Sequence, residues 1–381
     1  MKKREILAGV TFIFSVVLST TAFGIENEDD FCSEPYLAVC GVDDWRGNLR
    51  DIEFATLKKD IKAQALSDTA IKFGEDPNKY LVPKSIKAVF YYVKRISEIT
   101  QYKVTDVELN AVLRNIRKIK EYLKDAIVEQ AFNNAISFEQ SEKLRKVIDS
   151  VDIDTKYELE NPSFDFTSSL RYEVFKRICG NDGLSENAFA SSDIVGRHVI
   201  VCPGWLLRAH GGGEDDESNF NNIVSVIAHE LAHHIDYGEF PEIYTEMNSC
   251  IAKNHADDLR LGQVWFETAL ATIPKGFRGY WNDLKVHNHG SEMSADFWAA
   301  QVLRLHLQTV DYEKRLETLR EAWVGLCGSG DEGIHPSGQF RLRVQLRSDP
   351  EIHKLMECAP AADVHQIGCT LSGAAYENLD Y

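Results

Sequence analysis

Residues 221–237 read Asn-Asn-Ile-Val-Ser-Val-Ile-Ala-His-Glu-Leu-Ala-His-His-Ile-Asp-Tyr, and this stretch decides the expected fold. Its apolar side chains recur at three- and four-residue spacing, which predicts a helix with a broad buried face. Asn221 or Asn222 would cap the first turn, because a short amide side chain accepts hydrogen bonds from main-chain N–H groups that lack a partner. The helix is therefore expected to run from about Asn221 to Tyr237.

The same helix carries the pattern His229-Glu230-Leu231-Ala232-His233. Residues four apart lie on one face of a helix, about one turn apart, so the two histidines could chelate one zinc ion. Glu230 could then deprotonate a water molecule whose pKa the metal has lowered. Such a pattern arises by chance in roughly a few per cent of chains of this composition, so a third ligand is needed to support the site.

Glu292 is the best candidate for that third ligand. It begins the segment Glu292-Met293-Ser294-Ala295-Asp296, within a helix predicted from about Ser291 to Leu305. Two histidines and one glutamate form a common catalytic zinc site. Asp296, one turn further on, and Asp236, three residues after His233, could each accept the outer N–H of a ligand histidine. The competing interpretation of Glu292 is a solvated helix carboxylate.

The remaining histidines near this pattern are weaker candidates. His234 points about 100° away from the ligand face and is expected to pack or to face solvent. His287 and His289 flank a possible turn, and a second metal site there is not favoured.

The rest of the chain predicts a mainly α fold with a small mixed β-sheet. Helical patterns fill residues 48–150, with a break at Pro77 and Pro83 and clear helices over 106–131 and 137–153. A strand is predicted at 198–202, and Gly211-Gly212-Gly213 reads as a plain loop, since no Lys-Ser/Thr pair follows to bind phosphate. The expected division is a helical lobe of about residues 48–160 and a chemistry-bearing lobe of about 165–381.

The beginning of the chain indicates export. Lys2, Lys3 and Arg4 precede a short apolar run, and small residues up to Gly24 predict cleavage there, which makes residues 1–24 a signal peptide. An uncleaved anchor is the alternative. Cleavage removes three positive charges and one negative charge, so the net charge moves from −17 to −19. So acidic a chain argues against nucleic acid or an anionic membrane as partner, and the protein is expected to be secreted or periplasmic.

Eight cysteines follow the predicted signal peptide, and an even number in an exported chain favours disulfides. They are Cys32, Cys40, Cys179, Cys202, Cys250, Cys327, Cys358 and Cys369. The alternative, a metal site with cysteine ligands, lacks any Cys-x-x-Cys pair. Their number alone leaves the connectivity open.

These motifs, with others along the chain, resemble the neprilysin family of zinc endopeptidases. Members share an N-terminal cysteine, a Cys-Gly eight residues later, an Asn-Ala-Phe/Tyr segment before the zinc helix, Glu-x-x-Ala-Asp after it, and a C-terminal His-to-Arg segment between cysteines. The matching residues here are Cys32, Cys40-Gly41, Asn187-Ala188-Phe189, His229 to Asp236, Glu292 to Asp296, Cys327-Gly328, His335 to Arg341, Cys358 and Cys369.

The resemblance implies a role for each matching residue. Zinc would bind His229, His233 and Glu292, while Glu230 would act as base and then proton donor and Asp236 and Asp296 would orient the ligands. Asn187 and the backbone of Ala188 would bind the peptide main chain. His335 would stabilise the oxyanion, and Arg341 would bind a carbonyl on the leaving-group side. A surface histidine and a solvated arginine are the alternatives for these last two.

The resemblance also implies a fold and a disulfide framework. The fold would be thermolysin-like around the zinc, with a reduced helical lobe. The implied pairs are Cys32–Cys358, Cys40–Cys327 and Cys250–Cys369, which leaves Cys179 and Cys202 to each other and makes residues 25–47 a disulfide-tethered N-terminal segment. The chain has about half the family's usual length, and Phe297-Trp298-Ala299 replaces the family's Asn-Gly-Gly, so the substrate pocket and the substrate size limit are expected to differ.

The predicted function is that of an exported zinc-dependent metalloendopeptidase acting on peptides or polypeptides. In this reaction zinc polarises the carbonyl while Glu230 transfers the proton. The alternatives are a non-catalytic, disulfide-stapled extracellular binding protein with structural zinc, and a protein-processing peptidase of broader reach.

Overall fold

The structure, a computed structural model, describes residues 31–32, 35–41, 45–103, 106–154, 179, 184–185, 187–193, 196–210, 216–254, 278–327, 335–358 and 369–374. These residues form a mainly helical fold with a small mixed sheet of three strands, as the sequence predicts. The predicted signal peptide, the Gly211–Gly213 loop and the predicted boundary near residue 160 lie outside the described residues.

The elements are numbered here in chain order. The helices are α1 (Pro35–Cys40), α2 (Trp45–Lys72), α3 (Ile86–Lys103), α4 (Asp106–Phe132), α5 (Phe138–Asp149), α6 (Pro203–His210), α7 (Asp216–Ala232), α8 (Thr245–Asn254), α9 (Arg278–Leu307), α10 (Arg315–Trp323), α11 (Gly338–Ser348) and α12 (Pro350–Leu355). The strands are β1 (Val151–Asp154), β2 (Ala188–Asp193), β3 (Gly196–Val201), β4 (Cys369–Thr370) and β5 (Gly373–Ala374).

The first strand corrects the helix predicted over 137–153. Helix α5 begins after Ser137, whose hydroxyl accepts a hydrogen bond from the Gln140 N–H, and it ends at Asp149. From Val151 onward apolar and polar residues alternate, which is the period of a strand rather than of a helix. Strand β1 pairs in parallel with β3, and β2 pairs antiparallel with the other side of β3. Strand β2 therefore has one edge that faces away from the sheet.

The helix predicted at 221–237 is shifted toward the N-terminus. Helix α7 begins at Asp216, so the predicted cap at Asn221 or Asn222 is wrong. Asn221 lies inside the helix and is buried, where its amide bonds to other helices instead of capping. Helix α9 likewise begins thirteen residues before Ser291, at Arg278, so that His287 and His289 lie within a helix and not beside a turn.

Helix α7 is the centre of the fold, with α9, α4 and α10 packed around it. Their apolar faces belong to one large buried cluster that also includes parts of α5, α11 and the sheet. The hairpin of α2 and α3 packs instead on α6 through a smaller, separate cluster that contains Ile61, Ala65, Ile96 and Leu207. The division into lobes of 48–160 and 165–381 stays a prediction, although α4 shares the core of α7 and α9.

Gly290 allows α9 to approach the segment that follows α7. A Cβ atom at this position would lie 2.7 Å from the ring of Tyr237, which is closer than carbon atoms can pack. Because Ser294, one turn further on, accepts the Tyr237 N–H at 3.0 Å, this approach fixes the end of α7 against α9.

Four disulfides join the described cysteines, and their pairing is the predicted one. They are Cys32–Cys358, Cys40–Cys327, Cys179–Cys202 and Cys250–Cys369. The first two connect the N-terminal residues around α1 to the C-terminal part of the chain. No described helix combines the length and the apolar character that a membrane span requires.

Candidate metal centre

Three predicted ligands meet between α7 and α9. The Nε2 atoms of His229 and His233 are 3.0 Å apart. Glu292 Oε2 lies 3.3 Å from the first of these nitrogens, and Glu292 Oε1 lies 3.5 Å from the second. All three ligand atoms fall within 4.8 Å of one another, and this is the one such group among the described residues. The group could hold a metal ion.

The helical spacing of the two histidines persists although α7 ends between them. Ala232 is the last residue of the helix, yet the His233 N–H still bonds to the His229 carbonyl oxygen at 3.1 Å. The next two N–H groups bond three residues back, which tightens the turn and ends the helix. Both imidazoles therefore remain on one face, one turn apart, as the pattern requires.

Each histidine is held from behind by an aspartate. The His229 Nδ1 lies 2.8 Å from Asp296 Oδ1, and the His233 Nδ1 lies 2.9 Å from Asp236 Oδ2. A carboxylate accepts a hydrogen bond from the Nδ1–H group of the ring, which keeps the proton on Nδ1 and leaves the Nε2 lone pair free toward the centre. Asp236 also accepts the Gly238 N–H at 2.8 Å, which fixes its orientation.

Arg341 is buried beside this arrangement and grips Asp296 with two nitrogens, each 2.7 Å from a carboxylate oxygen. Its Nη2 is also 3.7 Å from Glu292. Helix α11, which carries Arg341, is tied to α9 by a bond from Gln345 to the Met293 carbonyl oxygen at 3.1 Å. The arginine is therefore part of the support of the ligands and not a solvated side chain.

The electrostatics of the cluster favour a bound cation. Burial on its own would lower the pKa of His229, but hydrogen bonds to Asp296 and Glu292 raise that pKa to about 10. Burial would likewise raise the pKa of Glu292, yet His229, His233 and Arg341 lower it to about 2. Glu292, Asp296 and Asp236 place three carboxylates around the two histidines, whereas Arg341 is the one guanidinium among the described residues in contact with the cluster. The cluster is thus short of positive charge.

Glu230 projects toward the open edge of the sheet. It is half-buried, and its Oε2 accepts the main-chain N–H of Ala190 at 2.7 Å. Since this N–H faces away from β3, the backbone groups of Ala188, two residues earlier, face the same open edge. Asn187 is exposed just before the strand, and its carbonyl oxygen accepts the Cys202 N–H at 3.0 Å. Glu230 and this edge are therefore neighbours.

His335 lies at the rim of the centre. Its Nε2 is 3.3 Å from Glu292 Oε1, and 45% of its side chain remains exposed. It precedes α11, whose first turn is capped by Ser337 through the Phe340 N–H at 3.3 Å. An exposed imidazole next to a ligand carboxylate is positioned to meet a molecule that approaches the metal.

One structural link at the site was not predicted. His234 is buried, its Nε2 lies 3.1 Å from the His198 carbonyl oxygen, and its Nδ1 lies 3.3 Å from the Ser192 hydroxyl. Burial lowers its pKa to about 4, so the ring is neutral at pH 7 and joins the end of α7 to both β2 and β3. The adjacent Ile235 indicated packing, but no local spacing identifies the strand partners.

A scan against models of protein families finds no match. A search of curated proteins finds none at the significance required either.

Proposed function

We propose that the protein is a zinc-dependent endopeptidase, in which His229, His233 and Glu292 bind the metal and Glu230 is the general base. The observation that carries the proposal is the convergence of the three ligand atoms, each histidine backed by an aspartate. Carboxylate–histidine–metal arrangements of this kind are typical of zinc sites.

The distances among the ligand atoms fit zinc in particular. A tetrahedral ion with bonds of about 2.05 Å holds its ligand atoms about 3.3 Å apart. The two Nε2 atoms are 3.0 Å apart, and the shortest contacts of Glu292 with them are 3.3 Å through Oε2 and 3.5 Å through Oε1. Three protein ligands leave one position for water or substrate, which is the pattern of catalytic sites, whereas structural zinc sites usually have four protein ligands.

Glu230 has the position that a base requires. Zinc, when bound, would polarise a peptide carbonyl and lower the pKa of water. The Glu230 carboxylate would take a proton from the attacking water as the water oxygen bonds to the carbonyl carbon. It would then give this proton to the peptide nitrogen, so that the C–N bond breaks and an amine leaves. The exposed His335 would donate a hydrogen bond to the oxygen that gains negative charge.

The open edge of β2 supports a peptide as substrate. A strand edge with free N–H and C=O groups binds an extended chain by adding a strand, which is independent of side-chain identity. On this edge the Ala190 N–H bonds to Glu230, the backbone of Ala188 two residues earlier points the same way, and Asn187 is exposed at the end of the edge. Arg341, fixed by Asp296, would bind a substrate carbonyl on the leaving-group side.

The same features are the basis for proposing a relationship to the neprilysin family and a zincin-like catalytic lobe. The disulfide pairs that this resemblance implies are present. We also propose that the substrate size limit differs from that of the family, because the helical lobe is reduced.

The proposal is tested with Glu230→Gln, which keeps the shape of the side chain and removes its basicity. Hydrolysis of a quenched-fluorescence peptide library should fall by at least about 100-fold, while zinc content measured by mass spectrometry stays at the wild-type level. Glu242→Gln, an exposed carboxylate twelve residues further along, is the matched control and should retain full activity.

The outcomes separate the proposed enzyme from a zinc-containing binding protein. Loss of cleavage in Glu230→Gln with zinc retained supports the enzyme. Wild-type protein that binds zinc and cleaves no peptide of the library refutes it.

A further inference from the structure

The hairpin tip, residues 71–87 between α2 and α3, exposes an unusual group of apolar side chains. Of the ten large apolar side chains that are exposed among the described residues, five lie here: Ile71, Phe73, Leu81, Val82 and Ile86. Leu81 keeps 82% of its surface exposed, and Ile86 keeps 77%. Single exposed leucines are ordinary, but a cluster within so short a segment marks an interaction surface.

Contacts within the tip fix its conformation, so its apolar side chains are exposed because of the structure of the hairpin itself. Tyr80 is buried, and its hydroxyl oxygen accepts the Lys84 N–H at 3.3 Å. The Lys84 ammonium lies 2.7 Å from Glu75, whose own N–H bonds to the Ala70 carbonyl oxygen at 2.9 Å. With Tyr80 pointing inward and both ends of the loop bonded, Leu81 and its neighbour are held outward.

The charge of the tip is opposite to that of the chain. Four exposed lysines, Lys72, Lys79, Lys84 and Lys87, face two acidic residues, Glu75 and Asp76, which gives the tip a net charge of +2 in a chain of −17. Over residues 45–150 as a whole, 20 lysines and arginines exceed 15 acidic residues, and the remainder of the chain carries −22. The acidic charge lies elsewhere.

We propose that the hairpin tip docks onto an anionic lipid bilayer. Leu81, Val82 and Ile86 enter the boundary between headgroups and acyl chains, and the lysines lie at the level of the phosphates. Docking of this kind holds the protein at the membrane surface without a spanning helix.

The composition of the tip favours lipid over a protein partner. Protein interfaces are enriched in aromatic residues, methionine and arginine and are depleted in lysine. The tip combines four exposed branched aliphatic side chains and one exposed aromatic side chain, Phe73, with four lysines, and it contains no arginine, methionine or tryptophan. Self-association through the same patch would bring the lysines of two copies together, and their repulsion opposes such a dimer.

The acidic remainder of the chain does not prevent docking. The hairpin packs on α6 through Ile61 and Ala65, and Lys72 lies seven residues beyond, which is about 10 Å along a helix. The Debye length at physiological ionic strength is about 8 Å, so charges behind the tip are largely screened at the membrane. The net charge of the whole chain argues against binding to anionic membranes, but the positive charge of the tip allows such binding locally.

Vesicle co-sedimentation of the full chain tests the proposal, with phosphatidylcholine vesicles that contain or lack phosphatidylglycerol. The triple variant Leu81→Ser, Val82→Ser, Ile86→Ser should bind anionic vesicles at least about 100-fold more weakly than wild type. The double variant Lys72→Gln, Lys87→Gln should lose about 30-fold on anionic vesicles and nothing on neutral ones.

The control is the double variant Phe132→Ser, Phe138→Ser, which removes an exposed aromatic pair at the end of α4 and should bind like wild type. All variants share the apolar N-terminal run, so its contribution cancels. Equal binding of wild type and the triple variant overturns the proposal, as does failure of wild type to bind. Self-association abolished by the triple variant, without vesicle binding, assigns the tip to a second copy and also overturns it.

Discussion

Two buried histidines, His229 and His306, lie along the same pair of helices in opposite surroundings. His229 on α7 meets the carboxylates of α9, while His306, ten residues or about 15 Å beyond Asp296 on α9, meets Asn221 of α7. Asn221 in turn donates to Glu321 at 2.9 Å, and Phe220 stacks against the imidazole of His306. The antiparallel packing of α7 and α9 thus has a charged end and a nearly neutral end.

Comparing the two histidines separates the effect of burial on the imidazole pKa from the effect of the neighbouring groups. Burial lowers the pKa of both imidazoles, and at His306 the positive charge of Lys118 acts in the same direction, so that the pKa falls to about 4. At His229 two carboxylates reverse the effect. The neutral end joins three helices by hydrogen bonds alone, whereas the charged end gathers negative charge that only a cation can balance.

The largest difference is expected when one carboxylate is removed from the charged end or from the neutral end of the α7–α9 packing. Glu292→Gln should abolish stoichiometric metal binding, because a carboxamide is a poor zinc ligand, and Glu321→Gln should leave it unchanged. Metal content is measured by mass spectrometry after purification. Wild-type protein in metal at about 1,000 times the dissociation constant should also be about 4 kcal/mol more stable to unfolding than the same protein after its metal is removed by a chelator. Full metal content in Glu292→Gln would contradict the assigned ligand set.

An intermediate effect is expected from the aspartate behind His229. Asp296→Asn should weaken metal binding by about 10- to 100-fold without abolishing it, since the ligands stay but lose their orientation. Affinity is measured by competition with a chromogenic chelator, and unfolding is followed in parallel because Arg341 depends on the same carboxylate. Asp311→Asn, at an exposed aspartate, is the control. An unchanged affinity in Asp296→Asn would remove Asp296 from the support of the site.

The smallest expected effect concerns the neutral end and appears on acidification. His306 is neutral in the folded state, and its unfolded pKa is near 6.5, so the unfolded chain binds the extra proton as pH falls. Its contribution to stability is complete above pH 6.5 and is lost toward pH 4. At pH 5 the loss is about 2 kcal/mol. His306→Gln keeps a donor for Asn221 and should remove this part of the pH dependence in urea unfolding. An identical pH slope in the variant would refute the assignment.

Much of the centre was accessible to sequence analysis because its parts are local. The two histidines and Glu230 lie within one helical turn, and Glu292 and Asp296 lie within another, so helical spacing alone indicates which residues share a face. The meeting of α7 with α9 is not local, and it was suggested by the need of a catalytic zinc site for a third ligand and by the resemblance to a zinc peptidase family. The grip of Arg341 on Asp296, 45 residues apart, cannot be obtained from periodicity.

The errors at the helix ends have a physical cause as well. Asn221 looked like a cap because amides favour that position, but its hydrogen bonds to His306 and Glu321 depend on α9 and α10. Strand β1 was read as helix because Val151 and Ile153 continued the apolar spacing of α5, and only the pairing with β3 shows which period applies. In both cases contacts with residues distant in the sequence determine the local structure.

The bridges Cys32–Cys358 and Cys40–Cys327 span 326 and 287 residues, and they turn a linear chain into a nearly closed ring. Because the chain is made from its N-terminus, Cys32 and Cys40 appear first, while their partners Cys358 and Cys327 appear last. In the interval each is nearest to the other, and a premature bond between them has to be exchanged before α1 can dock. Formation of these two bridges should therefore depend on a thiol–disulfide isomerase.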